Sequence, residues 1–201
     1  MHNEYALGIY HEKGLENVHC INLPYTFKVP SFNVSQNSEI LKILIFGFLG
    51  QNRYLRETLD IIGVVNKTRN VELHIAGKIL DANLLKKIND FNFVKYHGYV
   101  SDISKLLSDV DIGLNLRVPS MGESSESLLH YWANSTPCIV SNTMAYSLLP
   151  SNVVIKVDID NLYDSLVDLL SNYSIDENHF DICKNAYQYL LNNHNPEEYC
   201  K

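Results

Sequence analysis

The chain has 201 residues, of which 46% are hydrophobic and 19% charged, so it can bury a core without disulfides or a metal. Its formal net charge of −7 argues against a general nucleic-acid surface and a polybasic membrane surface. No stretch reaches the roughly 18 apolar residues of a membrane span, and the start lacks the pattern of a signal peptide. With four scattered cysteines, these features predict a reducing, cytoplasmic location.

The first forty residues differ in pattern from the rest. The opening MHNEYALGIYHEKG is typical of a helix, VHCINLP predicts a strand, and TFKVPSFNVSQNSE is rich in turn residues and predicts a linker. We therefore place a domain boundary between residues 40 and 41 and expect one larger domain over 41–201.

Beyond this boundary, short apolar runs alternate with longer helical stretches. The predicted strands cover residues 42–47, 71–77, 92–98, 111–116, 136–141 and 153–157. The predicted helices are 52–65, a polar helix capped by Asp81, a short helix opened by Ser101 and Asp102, 124–134, 160–171 and 182–194. Strands buried on both faces and separated by helices predict a doubly wound, Rossmann-like α/β domain with a parallel sheet of about six strands. Its ligand site should lie at the carboxyl ends of the strands.

The first candidate site follows the first predicted strand. Gly47 ends that strand, and Arg53 is expected in the first turn of the next helix, where N–H groups and the helix dipole favour an anion such as a pyrophosphate. Alternatively, Gly47 only turns the chain and Arg53 is solvated. Neither G-x-G-x-x-G nor a Walker sequence is present, which argues against classical NAD binding and P-loop ATP hydrolysis.

The second candidate site follows the fourth predicted strand. Arg117 lies on the loop, and Gly122, Glu123, Ser124 and Ser125 lead into a helix. Together they offer N–H, hydroxyl and carboxylate groups to a phosphate and to sugar hydroxyls. The alternative is an ordinary helix N-cap, because a serine near an acidic residue caps many helices.

The order FGFLGQNR, ELHIAGK, VKYHGYVSDISKLLSDVDIGLNLR, PSMGESSESLL and STPCIVS resembles the carboxyl-terminal, donor-binding domain of retaining GT-B glycosyltransferases of family 4. The segment NLRVPSMGESSE resembles the branch that reads N-L-R-x-P-T-x-G-E-T-S-G. HNEYALGIYHEKGLENVHCINLPY resembles the last helix and strand of the preceding acceptor domain. Residues 1–40 are then the end of that domain and a linker, and 41–201 are the carboxyl-terminal half of a GT-B fold.

The resemblance implies a role for individual residues. Arg53 and Glu123 would be catalytic, Arg53 as the basic residue on the donor diphosphate. The remaining donor-binding residues would be Gly47, Lys78, His97, Gly98, Tyr99, Val100, Arg117, Gly122, Ser124, Ser125 and His130. The stretch from His97 to Val100 would read the nucleobase with its main chain. His130 stands where most of the family has a ribose-binding glutamate, and an imidazole lacks the two-oxygen grip of a carboxylate.

The implied reaction moves a hexose from a nucleoside diphosphate sugar to an acceptor hydroxyl, with retention, in surface polysaccharide synthesis. No cofactor or metal is expected, since Asp109 and Asp111 are better explained as the entry to a strand than as a metal site. The acceptor domain would come from a separate amino-terminal partner, which would bring the protein to the membrane periphery. Apolar side chains on the opening helix and the tail, including Leu190, would otherwise favour self-association.

Two other classes remain open on the sequence. The first is a nonenzymatic α/β module that binds a nucleotide or a partner chain, which the His130 departure and the missing half favour. The second is a small signalling or flavin-type domain, for which GFLGQNR supplies neither acidic residues nor a flavin loop.

Overall fold

A computed structural model of the chain describes residues 2–26, 39–120 and 122–199. Most of the predicted linker therefore lies outside the described residues. Within them, no helix is both long and apolar enough to cross a membrane.

The centre of the molecule is a parallel sheet. Its strands are β1 (Leu41–Phe46), β2 (Val71–Ala76), β3 (Val94–Gly98), β4 (Ile112–Asn115), β5 (Cys138–Ser141) and β6 (Ile155–Val157). They lie in the order β3-β2-β1-β4-β5-β6, and all neighbours are parallel. The chain thus builds outward from β1 to β3, returns to the centre at β4 and builds outward on the other side. The predicted doubly wound, Rossmann-like sheet is confirmed.

Helices cover both faces of the sheet. They are α1 (Glu4–Glu12), α2 (Leu55–Val65), α3 (Ala82–Asn89), α4 (Ser104–Leu107), α5 (Glu126–Ala133), α6 (Met144–Ser147), α7 (Leu162–Asn172), α8 (Glu177–Asn193) and α9 (Pro196–Tyr199). Asp81 caps α3 as predicted, since its carboxylate accepts hydrogen bonds from the N–H groups of Asn83 and Leu84.

Two apolar cores follow from the alternation of side chains along the strands. Ile43 and Ile45 of β1 face the core shared with α2 and α7, while Leu44 faces the core shared with α5 and α8. Burial of both sheet faces leaves only the strand ends accessible to a ligand. The carboxyl ends of the strands are therefore the part of the sheet where a site can form.

The structure also corrects several sequence-based expectations. Residues 18–24 form no strand, since among the strands that the structure describes none lies alongside them to exchange backbone hydrogen bonds. Arg53 lies at the end of a separate 3-10 helix, Gln51–Arg53, ahead of α2 and not in its first turn. Leu190 is fully buried in the core shared with α5 and α8 and is not part of an exposed apolar strip.

Candidate functional site

The strands β1 and β4 are neighbours at the centre of the sheet, and the chain leaves them in opposite directions. This is the topological switch point of a doubly wound sheet, where the loops diverge and leave a crevice at the carboxyl ends. Both candidate sites of the sequence analysis lie here. One follows β1, and the other joins β4 to α5.

Gly47 brings the loop after β1 close to α5. Its φ is +104°, and a Cβ at this position would lie 2.8 Å from Ser127 Oγ in the first turn of α5. The chain just after β2 approaches this loop still more closely, because a Cβ on Gly77 would lie 2.1 Å from the carbonyl oxygen of Gly47. Only glycine fits these positions, so the first predicted turn is also a point of close backbone approach.

Arg53 lies beneath this crevice and is only 2% exposed. One Nη donates to the Phe46 carbonyl at the end of β1 at 2.6 Å, and the other donates to Asn115 Oδ1. The Asn115 amide in turn donates to Ser125 Oγ at 3.0 Å and to Tyr146 Oη at 2.9 Å. A buried polar network therefore joins β1, β4 and α5 under the crevice.

The sequence analysis missed two residues of this network, Tyr146 and, at its centre, Asn115. Asn115 is completely buried within β4, and its amide supplies one acceptor and two donors that are all used. The available signal was a polar side chain inside the apolar run DIGLNL. Such a residue needs buried partners, but the run does not show which ones.

The crevice carries excess positive charge. Burial and, secondarily, the nearby Arg117 lower the pKa of Arg53. Within the described residues Arg53 meets no carboxylate, whereas Arg117 Nη1 pairs with Glu123 Oε1 at 3.2 Å. The Nε atoms of both arginines are buried without a hydrogen-bond partner. The guanidinium groups of Arg53 and Arg117 therefore outnumber the single carboxylate, that of Glu123, and this excess of positive charge suits the crevice to an anionic ligand.

The loop from Gly122 to Ser125 contacts the amino-terminal segment, which is residues 2–26. Ser125 caps α5, with its Oγ accepting from Leu128 N, so the N-cap interpretation holds for this residue. Ser124 Oγ donates to the His2 carbonyl at 2.6 Å. Asn3 Nδ2 donates to the Gly122 carbonyl at 2.8 Å. Because a hydroxyl has one proton, Ser124 cannot donate to a ligand in this arrangement.

His130 is half-buried near the end of α5, at the edge of the same crevice. Its Nδ1 is 2.7 Å from Tyr25 Oη, and its ring meets Phe46 edge-on with centroids 5.9 Å apart. The contact with Phe46 places the imidazole beside the end of β1. Its proposed contact with a ribose stays a prediction.

The remaining predicted residues line the carboxyl ends of β2 and β3. Lys78 is exposed, and Tyr99 is 83% exposed. The carbonyl of Gly98, whose φ is +64°, accepts a hydrogen bond from Gly77 N at 2.7 Å. Val100 packs against the core shared with α5 and α8. These residues share an edge with the crevice but lie one and two strands further out from β1.

His97 belongs to a short chain of polar side chains on β2 and β3. Its Nε2 is 3.0 Å from Nδ1 of the buried His74, whose Nε2 is 2.6 Å from Glu72 Oε1. Lys95 Nζ pairs with the other oxygen of Glu72 at 2.6 Å. Burial and, secondarily, the charges of His74 and Lys95 lower the pKa of His97, which favours its neutral form.

The described residues contain no group of three His, Cys, Asp or Glu side chains arranged to hold a metal ion. Asp109 pairs with Lys42 Nζ at 2.8 Å. Asp111 is buried and accepts from Lys42 N at 2.8 Å, so it fastens β4 to β1 and is not an exposed side chain.

A cavity of about 230 Å³ is lined in part by Glu123, Ser124 and Ser125. Its walls come from the amino-terminal segment, α5, α6 and α8, and include Asn22, Trp132 and Tyr189. Ser125 and Tyr146 line this cavity and also accept hydrogen bonds from Asn115, so the cavity adjoins the buried network that holds Arg53.

Comparison with solved structures shows the same fold in glycosyltransferases. The chain superposes on the S. aureus TarM G117R mutant, in complex with fondaparinux, alpha-GlcNAc-glycerol and UDP, with a TM-score of 0.75 at 14% identity, covering 96% of this chain and 40% of that one. For Anabaena HepE in complex with UDP and glucose, the TM-score is 0.69 at 14% identity, with coverage of 80% and 46%. For WaaG, a glycosyltransferase involved in lipopolysaccharide biosynthesis, it is 0.72 at 14% identity, with coverage of 99% and 60%.

The chain thus spans between 40% and 60% of the length of these three structures. A comparison with curated protein sequences finds no match. The family model described as glycosyl transferases group 1 matches residues 41–172, which is more than half of the chain and includes the sheet, Arg53 and the Gly122 to Ser125 loop. The chain therefore belongs to the glycosyl transferases group 1 family.

Proposed function

We propose that this chain is the donor-binding part of a glycosyltransferase and that its crevice holds the diphosphate of a nucleoside diphosphate sugar. In this proposal a hexose passes to an acceptor hydroxyl with retention, in surface polysaccharide synthesis on the cytoplasmic side of the membrane. The donor sugar is a substrate, and no cofactor or metal is required. Residues 1–40 are the end of an acceptor domain and its linker, and 41–201 are the donor domain.

The observation that carries this proposal is the buried, positively charged network at the switch point. Arg53 is 2% exposed and is held by a carbonyl and an amide, both uncharged. A buried cation without a counter-charge is unfavourable, and a diphosphate in the crevice would supply that charge. The second guanidinium, on Arg117, lies on the loop that follows β4 and strengthens the same preference.

The same groups would assist the reaction. When the bond between the anomeric carbon and the diphosphate breaks, negative charge grows on the leaving diphosphate. Arg53, Arg117 and the amino terminus of α5 would stabilise that charge without moving, because the network already holds them in place. Glu123 would offer its carboxylate to the hydroxyls of the donor sugar, and the contact of its Oε1 with Arg117 Nη1 at 3.2 Å holds it in place.

The neighbours agree with this ligand class. TarM and HepE have the same fold over most of this chain and were crystallised with UDP, HepE also with glucose. The predicted nucleoside-binding residues lie at the ends of β2 and β3, one and two strand spacings from β1, which is at most about 10 Å. They are Lys78, His97, Gly98, Tyr99 and Val100. Their distance from β1 suits the nucleoside of a donor whose diphosphate lies over Arg53.

We also propose that the chain alone does not transfer sugar. An acceptor must be held against the anomeric carbon, and positioning of this kind lowers a barrier by about 7 to 11 kcal/mol. A separate amino-terminal acceptor domain, or self-association in its absence, would cover the crevice.

The test is calorimetric titration of the 201-residue chain with UDP, GDP, ADP and CDP, with FMN and NAD as controls. Micromolar-to-millimolar binding of at least one diphosphate, and no binding of FMN or NAD, is the expected result. Absence of binding by all four diphosphates would exclude the donor-domain proposal. Sustained transfer from radiolabelled donors by this chain alone would exclude the half-enzyme proposal.

The engagement of Ser124 by His2 favours one alternative, a nonenzymatic nucleotide-binding or partner-binding module. A nucleotide-binding module would bind a diphosphate and a partner-binding module would not, but neither would give transfer after addition of an amino-terminal acceptor domain. The transfer assay with that domain added therefore separates both from the donor-binding part of a glycosyltransferase.

A further inference from the structure

We infer that Asn3 is a positioning residue for the Gly122 to Ser124 loop, and that through this loop the amino-terminal segment controls diphosphate binding. The inference rests on the proposed function and adds a residue outside the matched range 41–172. It is carried by contacts between two segments that are about 120 residues apart in sequence.

Both ends of the Asn3 amide are used. Its Oδ1 accepts from Ala6 N at 2.8 Å and so caps α1, while its Nδ2 donates to the Gly122 carbonyl at 2.8 Å and to Ser124 Oγ at 3.2 Å. Aspartate or serine would also cap the helix, but neither carries an amide donor. Asparagine therefore performs a function here that the cap alone does not require.

Two further contacts hold the same loop. Ser124 Oγ donates to the His2 carbonyl at 2.6 Å. Gly122 has φ +75°, and a Cβ on it would lie 2.8 Å from the ring of Tyr5. Asn3 thus holds the Gly122 carbonyl, His2 holds the Ser124 hydroxyl, and Tyr5 packs against the backbone of Gly122.

The orientation of one peptide group follows from these contacts. In a trans peptide the C=O and the following N–H point in opposite directions. Because the Gly122 carbonyl points at Asn3, the N–H of Glu123 points away from the amino-terminal segment. The contact also sets the backbone from which the Glu123 carboxylate reaches Arg117. Loss of the Asn3 amide would release this peptide group and weaken the arrangement that a diphosphate meets.

The first test measures the loop without a ligand. Asn3→Ser keeps a capping oxygen and adds no charge, and Asn195→Ser is the matched control, since Asn195 Oδ1 caps α9 through Glu197 N at 3.0 Å. Hydrogen exchange of residues 122–125 should be faster in Asn3→Ser than in the wild type and unchanged in Asn195→Ser. Unchanged exchange in Asn3→Ser would overturn the inference.

The second test measures binding by calorimetry with the best of UDP, GDP, ADP and CDP and with its parent nucleoside. Asn3→Ser should weaken diphosphate binding about three- to tenfold and leave nucleoside binding unchanged, because a neutral hydrogen bond is lost. The effects of Asn3→Ser and Ser124→Ala should be less than additive, since both release one loop. Faster exchange with unchanged diphosphate affinity would overturn the positioning role.

The two proposals fail in different ways. If the wild type binds none of the diphosphates, the proposed function is wrong, and the exchange measurement alone decides whether Asn3 holds the loop. Circular dichroism of all variants verifies folding. If Asn3→Ser were unfolded, Asn3→Asp, which preserves the cap, would replace it in both tests.

Discussion

Two regions along the carboxyl edge of the sheet hold the predicted donor-binding residues, and they are built differently. Over β1 and β4, Arg53 and Asn115 are buried in a network whose hydrogen bonds cross three elements. Over β2 and β3, Lys78 and Tyr99 are exposed, and the fixed features are the backbone at Gly98 and the His97 ring, which lies 3.0 Å from His74. The first region can present charge through rigid side chains, whereas the second can present mainly its main chain.

The largest effect is expected when the buried network is broken at Asn115. Asn115→Ala removes the acceptor of a buried guanidinium and one hydrogen bond each to Ser125 and Tyr146. We expect a loss of about 3 kcal/mol in the free energy of unfolding, measured by urea denaturation. Asn89→Ala, at an exposed position of α3, is the control. A loss of less than about 0.5 kcal/mol would mean that the network does not stabilise this region.

The next effect separates charge from stability at Arg53. Arg53→Met fills much of the same volume and removes a buried charge, so the free energy of unfolding should fall less than in Asn115→Ala. Diphosphate affinity should fall by about tenfold to a hundredfold, because a charge-assisted hydrogen bond is worth about 1.5 to 3 kcal/mol. Arg56→Met, on the exposed side of α2, should leave affinity unchanged. Equal calorimetric dissociation constants for Arg53→Met and the wild type would show that Arg53 has a purely structural role.

The contrast between the regions also explains what sequence could predict. Apolar runs, and the glycines that follow strands, are local signals, and they predicted the six strands and the edge of the sheet at which the crevice lies. Asn115 was missed because its partner Arg53 is 62 residues away. The strand over 18–24 was wrong because strand formation needs a neighbour, which no local pattern reports. The contact between Asn3 and Gly122 is likewise nonlocal.

A smaller effect tests the polar chain on β2 and β3 through its pH dependence. Burial would raise the pKa of Glu72, but hydrogen bonds from Lys95 and His74 outweigh it and lower the pKa below the ordinary 4.5. A lowered carboxyl pKa contributes stability above the unfolded value, and that contribution is lost as the pH falls through the folded value. Glu72→Gln should therefore cost less than about 1 kcal/mol at pH 7 and little or nothing in strong acid.

Urea midpoints at a series of pH values from neutral to strongly acidic measure this difference. The gap between Glu72→Gln and the wild type should narrow below about pH 4.5, the unfolded value. Glu12→Gln, at the exposed end of α1, provides the control. A gap that stays constant down to strong acid would show that the Glu72 charge does not contribute.

The smallest effect is expected at Tyr99, where the difference between the two regions is sharpest. Its side chain is 83% exposed, so Tyr99→Ser should change the free energy of unfolding by no more than about 0.5 kcal/mol. If this edge reads a nucleobase with its main chain, diphosphate affinity should also stay within about twofold, since the backbone of residues 97–100 is unchanged. Stacking of a base on the ring would instead be worth about 1 to 3 kcal/mol, a loss of at least fivefold that calorimetry would detect. Such a loss would mean that this edge, like the one over β1 and β4, binds its ligand through side chains.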